Sequence, residues 1–256
     1  MFFVFSKEKI KSYLISLGTV VVLLVVSIVY QNSANNILAT SSSITKMPIL
    51  KVEKLEKVVA MSINCVENMD NISSILDTLS KMKAKATFFI TGEVAEKYPE
   101  EVKKIVDNGN EIGNLSDKYI SLKKLGKDDI LKQIQECNKK IENITKEEPV
   151  LFRTPYGEYN NLIIETAQNE NLEVTLWNID SLDHNELETD EIWEQIEENL
   201  SNGSIILTHN EYIDKSLEII IHNIQEKGYS VTSVSDIIYK ANYEIDENGV
   251  QRFVSE

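Results

Sequence analysis

The chain has 256 residues, enough for one large domain with its own hydrophobic core and an additional segment. Acidic residues outnumber basic ones, 41 to 26, and the formal net charge is −15. A surface this acidic argues against binding to nucleic acid, and against docking on an anionic surface through charge alone. The chain contains only two cysteines, Cys65 and Cys137, and we expect both thiols to be free.

The N-terminal residues predict a membrane anchor. Residues 1–12 form a basic stub, and residues 13–30 are an uncharged, mostly apolar run. As a helix rising ~1.5 Å per residue, this run would be roughly 27 Å long, close to the hydrocarbon thickness of a bilayer. The lysines of the stub favour a cytoplasmic N-terminus, with the rest of the chain extracytoplasmic. A cleaved signal peptide is the alternative, but the run is long for one and its cleavage pattern is poor.

The remainder of the chain predicts one α/β domain. Residues 31–57 are polar and aperiodic, as in a linker, and residues 58–240 alternate short apolar runs with amphipathic ones. This alternation indicates parallel strands with helices packed outside them, in a distorted barrel or an open doubly wound sheet. Residues 241–256 contain an Asn-Gly pair typical of a β-hairpin. Strands are predicted at 58–63, 85–90, 111–113, 150–152, 173–177, 204–208 and 229–232, and helices at 71–82, 99–107, 127–144, 162–169, 189–200, 215–227 and 233–239.

The carboxyl ends of these strands are where a parallel α/β fold binds its ligands. Polar side chains follow most of the predicted strands at this edge. We therefore look for chemistry at Asn64-Cys65, Thr91-Gly92, Asn114-Leu115, Arg153 to Gly157, Asn178 to Asp183 and His209-Asn210.

Five of these segments, in order and at consistent spacing, resemble motifs of the polysaccharide deacetylases, also called NodB-homology domains or family 4 carbohydrate esterases. They are residues 61–66, 113–119, 153–157, 177–183 and 207–209. The resemblance covers roughly residues 58–239. It implies a distorted (β/α)7–8 barrel of the NodB type. It also implies a hydrolase that removes acetyl groups from peptidoglycan or another N-acetylated polysaccharide, using zinc or another divalent metal.

At the positions where the resemblance places the three metal ligands, this chain has Cys65, Leu115 and Tyr119. One thiol does not make a metal site, leucine has no lone pair, and a tyrosine binds metal only as a phenolate, with a reference pKa of about 10. Asn64 stands at the position of the catalytic base, and an amide does not take up a proton at neutral pH. We therefore expect no metal cofactor.

Other family positions are retained, and the resemblance implies catalytic roles for four of them. His209 stands at the general-acid position with Asp183 as its partner, Arg153 orients the base, and the backbone N–H of Tyr156 stabilises the oxyanion. Two alternatives are that Arg153 and Asp183 form only a structural ion pair, and that His209 only makes hydrogen bonds. The implied substrate-binding residues are Arg153, Pro155, Tyr156, Gly157 and Asp180.

The other two histidines have weaker indications of function. His184 stands where the family usually has a tryptophan, and together with His209 and Asp180 or Asp183 it is a candidate to hold an ion. No relative suggests such a site. His222 lies on a predicted helix among isoleucines, which is typical of a packed or surface histidine.

The missing metal ligands decide the predicted activity. Metal-bound water has a pKa of about 7, far below that of bulk water, so amide hydrolysis without the metal is slower by many orders of magnitude. The retained oxyanion donor and acid would restore only about 10³-fold.

The sequence therefore predicts a membrane-anchored, extracytoplasmic pseudoenzyme of the bacterial cell envelope that binds peptidoglycan or another N-acetylated glycan. One alternative is an active de-N-acetylase with a rearranged site that uses Cys65, Asp117 or Glu67. The other is a structural or sporulation-related module that binds a protein.

Overall fold

A computed structural model describes residues 46–255, which form an α/β half-barrel of parallel strands. The elements of these residues are numbered in chain order. The strands are β1 (Lys51–Val52), β2 (Val58–Cys65), β3 (Ala86–Ile90), β4 (Glu111–Asn114), β5 (Leu151–Phe152), β6 (Glu173–Val174), β7 (Ile179–Asp180), β8 (Ile205–His209), β9 (Ser230–Thr232), β10 (Tyr243–Ile245) and β11 (Val250–Phe253). The α-helices are α1 (Ile72–Lys81), α2 (Gly92–Lys97), α3 (Pro99–Asp107), α4 (Lys127–Thr145), α5 (Asn161–Asn169), α6 (Thr189–Asn199), α7 (Asp214–Glu226) and α8 (Val234–Ile237).

The main sheet has the strand order β6-β5-β4-β3-β2-β8-β7, and β9 pairs with the start of β2. All of its pairings are parallel. This confirms the α/β class with parallel strands. Strands β2 and β3 are buried along almost their whole length, as expected where both faces of a parallel sheet are covered. The register sets Asn64 beside His209, so the ends of β2 and β8 present their side chains to the same edge.

The helices form because their apolar residues recur every three or four positions. Helix α4 buries Ile130, Ile134, Cys137 and Ile141 along one stripe, as the sequence pattern predicts. The sequence prediction missed helix α2, which begins immediately after β3. Thr91 starts this helix by accepting a hydrogen bond from the backbone N–H of Val94 (3.1 Å).

The segment before β2 packs against the domain, in contrast to the linker predicted at residues 31–57. Ile49 and Val52 are fully buried, and β1 pairs with β11. The polar composition of this stretch hid its buried positions, which also include Pro48, so the domain begins before residue 58. The predicted C-terminal hairpin is present as β10 and β11, and Gly249 at its turn has the positive φ of 73° that favours glycine.

The predicted anchor, residues 13–30, and the basic stub before it lie outside the described residues. Within residues 46–255, no helix is long and apolar enough to span a bilayer. Membrane attachment therefore stays a prediction from the sequence.

Candidate functional site

A pocket of about 520 Å³ opens at the carboxyl ends of β2, β7 and β8. Its position is where a parallel α/β fold is expected to bind ligands. The wall combines three aromatic rings with carboxylates and two imidazoles, and no lysine or arginine among residues 46–255 lines it. The lining residues are Asn64, Val66, Glu67, Tyr119, Tyr156, Trp177, Asp180, His184, Leu207, His209 and Glu211.

Arg153 lies fully buried behind this pocket, directly after β5. Its Nη1 donates to the Oδ1 of Asn64 (3.1 Å), and its Nη2 donates to the Ser62 hydroxyl and the Leu176 carbonyl (2.9 Å each). Within residues 46–255, no carboxylate is among its hydrogen-bond partners. Burial lowers the pKa of the Arg153 guanidinium to about 9, although electrostatic interactions with Tyr119 and Asp180 act in the opposite direction.

An aromatic stack partly compensates the buried charge of Arg153. The guanidinium carbon lies 3.9 Å from the centroid of the Phe89 ring and 5.3 Å from that of Trp177. Phe89 fits there because Gly113 has no side chain, since a Cβ at Gly113 would lie 2.5 Å from the Phe89 ring. The glycine of the Gly113-Asn114 pair thus supports Arg153 through Phe89.

Asp183 and His209 form the second polar centre of the site. Asp183 Oδ2 accepts from the backbone N–H of His209 (2.7 Å), and Asp183 Oδ1 lies 2.8 Å from His209 Nδ1. Asp183 is buried, and His209 is partly exposed to the pocket. The alternative in which Arg153 and Asp183 pair with each other is wrong, because each has the other partners described above.

The three family metal positions lie at the ends of β2 and β4, and their side chains do not fit a metal ion. Cys65 is fully buried, and burial, assisted by the charge of Glu211, raises the pKa of its thiol well above the ordinary value. Leu115 is fully buried in a cluster with Phe89. Tyr119 stacks on Tyr156 with ring centroids 4.4 Å apart, and burial raises the pKa of its phenol. Neither the thiolate nor the phenolate is favoured, so this donor set does not suit the family's metal.

Asn114 keeps the loop after β4 in a fixed conformation. Its Nδ2 donates to the Ile134 carbonyl (2.9 Å), and its Oδ1 accepts from the backbone N–H of Ser116 (2.6 Å). The side chain of Asp117, in the same loop, pairs with Lys140 Nζ at 2.8 Å and is buried. Asp117 is therefore committed to a salt bridge away from the pocket lining, and of the three residues proposed for a rearranged site only Glu67 lines the pocket.

The implied substrate-binding residues divide into two groups. Tyr156 and Asp180 line the pocket, whereas Arg153 and Pro155 are buried behind it. Gly157 has a φ of 67°, and a Cβ there would lie 2.9 Å from Trp177. Its role is therefore to allow this close approach.

Two backbone positions in the site are strained. Tyr156 and Leu182 are non-glycine residues with φ of 60° and 55°, a conformation that concentrates at functional sites. Sequence reasoning missed Glu211 as a lining residue, although its position two residues after the end of β8 was a usable signal.

The site also contains a cluster of one aspartate and two histidines, which are residue types that bind metal ions. One ligand atom each from Asp183, His184 and His209 lies within 4.8 Å of the other two. Because the described residues contain this cluster, the expectation that the protein has no metal cofactor is not confirmed. Cys65 and Cys137 are free thiols, which confirms that prediction.

Comparisons with known proteins agree with this geometry. A sequence profile described as polysaccharide deacetylase matches residues 51–175. The structure of peptidoglycan deacetylase PdaC from Bacillus subtilis aligns with a TM-score of 0.66 and 31% identity, over 73% of this chain and 92% of that chain. The chain belongs to the polysaccharide deacetylase family. The parallel half-barrel fits the NodB-type expectation.

Two kinds of family member are similar to this chain. A CE4 family pseudoenzyme from Bacillus anthracis aligns with a TM-score of 0.72 and 28% identity, over 74% of this chain and 68% of that chain. A mutant of that pseudoenzyme with restored enzymatic activity aligns with the same TM-score. A peptidoglycan-N-acetylglucosamine deacetylase from Bacillus cereus is 32% identical over 152 residues, which cover 59% of this chain and 55% of the relative. The chain matches 40%, 62% and 55% of the length of the first three curated relatives.

Proposed function

We propose that this protein is an extracytoplasmic member of the polysaccharide deacetylase family that binds an N-acetylated glycan, such as peptidoglycan, without removing its acetyl groups. The observation that carries the proposal is the chemistry at the three family metal positions. There the side chains of Cys65, Leu115 and Tyr119 are held in forms that do not bind a metal ion.

The base position supports the same conclusion. Asn64 accepts a hydrogen bond from Arg153, the geometry in which a carboxylate would be oriented as a base, but an amide cannot take up the proton. His209 keeps its partner Asp183, so a proton donor remains. An acid and an oxyanion donor together supply only about 10³-fold of rate enhancement. Hydrolysis of an acetamide needs far more than this.

The pocket nevertheless has the features of a sugar-binding site. Tyr119, Tyr156 and Trp177 provide aromatic faces, and Asp180 and His209 provide polar groups for hydroxyls. The volume of about 520 Å³ lies within the range of small-ligand pockets. Two of the similar proteins act on peptidoglycan by name, which favours a related glycan as the ligand here.

The location of the protein is part of the proposal. The apolar run at residues 13–30 is long enough to serve as a single membrane anchor, and the lysines before it favour an extracytoplasmic domain. Such an anchor would hold the pocket close to the cell wall. Release of the protein from membranes on deletion of residues 1–30 would support this location, and unchanged membrane association would contradict it.

Two measurements on the full-length protein in non-ionic detergent test the function. We expect no acetate release from chitooligosaccharide or peptidoglycan, together with saturable binding to insoluble peptidoglycan. Tyr156→Ala should weaken this binding. Phe253→Ala is the matched control, because Phe253 is a similarly exposed aromatic residue (55%, against 57% for Tyr156) on the C-terminal hairpin.

Two outcomes would overturn the proposal. Turnover that is lost in His209→Ala would show an active enzyme with a rearranged site. Binding that is equally strong in Tyr156→Ala and Phe253→Ala would show that the pocket is not the binding surface, and would favour a protein-interaction module.

A further inference from the structure

The side chains at the ends of β7 and β8 form a group that the proposed function does not use as a whole. His184 follows Asp183 on the loop after β7, and its ring meets the ring of His209 edge to face, with centroids 5.1 Å apart. One ligand atom from each of Asp183, His184 and His209 lies within 4.8 Å of the other two. These are imidazole and carboxylate donors, the types that bind zinc and neighbouring transition metals.

The hydrogen bonds of Asp183 determine which nitrogen of His209 is free. Asp183 is buried, and its two oxygens face the backbone N–H and the Nδ1 of His209. A carboxylate accepts hydrogen bonds, so Nδ1 of His209 is the donor in this contact, and Nε2 is the ring nitrogen that is available to a ligand. A carboxylate that holds one nitrogen of an imidazole while the other binds the ion is a common arrangement in metal sites.

The charges around this group favour a cation. The carboxylates of Glu67, Asp180 and Glu211 line the same pocket, and within the described part of the chain no lysine or arginine does. His184 is exposed and His209 is partly exposed, so an ion can reach both rings from the pocket.

We propose that His184 and His209 bind a divalent transition-metal ion such as Zn²⁺ in this pocket, with Asp183 holding the His209 ring through Nδ1. Two imidazoles leave coordination positions open for water or for oxygen atoms of a ligand. Nitrogen donors select zinc, nickel or copper over magnesium and calcium, which prefer all-oxygen sites.

This site differs from the family's metal site in position and in consequence. Of the family positions, Cys65 ends β2, and Leu115 and Tyr119 follow β4. In contrast, His184 follows β7 and His209 ends β8. An ion on Nε2 of His209 takes up the lone pair that a proton would occupy in the general acid. Metal binding here therefore does not restore the family's mechanism, and it can be tested without any glycan.

The test is calorimetric titration of metal-depleted, full-length protein with Zn²⁺, with Mg²⁺ as a parallel titrant. We expect one Zn²⁺ per chain and no comparable binding of Mg²⁺. His184→Ala and His209→Ala should each weaken Zn²⁺ binding at least about tenfold, and Asp183→Asn about 10–100-fold, the range measured for partners of metal-binding histidines. Bound Co²⁺ should give a visible absorption spectrum that is lost in His184→Ala.

Two control variants separate this site from others. His222→Ala removes the remaining histidine, which is exposed on α7, and should leave Zn²⁺ binding unchanged. Cys65→Ser removes the thiol at the family's metal position and should also bind as the wild type does. The proposal would be overturned if Cys65→Ser lost Zn²⁺ binding while His184→Ala kept it. It would also be overturned if the wild type bound Zn²⁺ as weakly as the His184→Ala/His209→Ala double variant. Circular dichroism of each variant checks that it is folded.

Discussion

The two sides of the pocket differ in the chemistry that their side chains retain. The side built by β2 and β4 has Asn64, Cys65, Leu115 and Tyr119, none of which carries a charge in the folded protein. The side built by β7 and β8 has the hydrogen-bonded pair of Asp183 and His209. The side chains of the first side are held mainly by packing, and those of the second side are held by hydrogen bonds. Both sides belong to one site of the family.

The reason for the difference lies in what holds each side in place. Asp183 is held by the backbone N–H of His209, so this pair needs no metal ion to keep its geometry. On the other side, metal ligands without a metal would be buried polar groups lacking partners, which are costly. Leu115 and Cys65 are fully buried but avoid that cost, because leucine is apolar and the cysteine thiol is neutral. Loss of the metal donors is thus compatible with a stable fold.

The largest expected effect comes from rebuilding the first side. The quadruple variant Asn64→Asp, Cys65→Asp, Leu115→His and Tyr119→His supplies the family's base and three metal ligands. We expect acetate release from chitooligosaccharide with Zn²⁺ or Co²⁺ to rise at least about 10³-fold over the wild type, because metal-bound water is the missing nucleophile. A related pseudoenzyme has a mutant with restored activity, which makes this outcome realistic.

The control for this rebuilding is the same variant with His209→Ala, which removes the side chain at the family's general-acid position. Acetate release should then fall well below that of the quadruple variant. Acetate release by the wild type at the rate of an active quadruple variant would contradict the comparison, because it would show that the first side is already competent. No acetate release by the folded quadruple variant would also contradict it, because the four substitutions would then not account for the inactivity.

A second prediction concerns stability on the two sides. Leu115 is fully buried and packs with Phe89 and Trp177, so Leu115→Ala should lower the free energy of unfolding by about 2–5 kcal/mol. His184, on the polar side, is exposed, and His184→Ala should change stability by no more than about 0.5 kcal/mol. Urea unfolding in the absence of metal measures both. Similar losses in the two variants would show that the first side is not stabilised mainly by packing.

A third prediction adds one charge to the first side. Asn64→Asp places a carboxylate beside the Nη1 of Arg153, which has no anionic hydrogen-bond partner within residues 46–255. Since hydrogen bonds between charged groups are about twice as strong as neutral ones, we expect the free energy of unfolding at neutral pH to rise by about 1–2 kcal/mol.

The pH dependence of this gain has a defined sign. Arg153 lowers the pKa of the new carboxylate below its unfolded value of about 4, so the gain is present above that pH and is lost as the pH falls through the folded pKa. Asn64→Leu removes the acceptor and should instead destabilise the protein. A loss of stability in Asn64→Asp would mean that desolvation of the carboxylate outweighs its pairing.

Except for the two-residue strands β1 and β7, the sequence predicted the strands, most helices and the edge of the sheet where the site lies. It did so because these depend on local periodicity and on the general behaviour of parallel sheets. The substitutions at Asn64, Cys65, Leu115 and Tyr119 were also readable, since each is a single residue within an ordered motif.

Contacts between distant parts of the chain were not predictable in this way. Asp117 was a candidate for a rearranged site, but its partner Lys140 lies on the next helix and removes it from consideration. Arg153 and Asp183 were a candidate pair, yet the fold gives each a different partner. Ile49 and Val52 looked like linker residues because their partners are distant in sequence. Ile49 pairs with Thr175, and Val52 pairs with Gln251 of β11.

The smallest expected effect concerns the charge of Arg153 itself. Burial lowers the pKa of Arg153 to about 9, well below its value in an unfolded chain. Between these two pH values the unfolded state binds more protons than the folded state, so the contribution of Arg153 to stability increases with pH. The cost of its buried charge is fully present below about pH 9 and is relieved above it.

The comparison that isolates this effect is the wild type against Arg153→Met, which keeps a long side chain but carries no charge. From about pH 8 to about pH 10, the free energy of unfolding of the wild type should rise relative to the variant by about 1 kcal/mol, with a limiting slope of about 1.4 kcal/mol per pH unit. The difference should vanish when Asn64→Asp is the background, because a neighbouring carboxylate raises the pKa of the guanidinium. A difference that does not change with pH in the wild-type background would mean that the aromatic stack and the neutral acceptors already compensate the charge. The β2–β4 side of the pocket would then be as well satisfied electrostatically as the pair of Asp183 and His209.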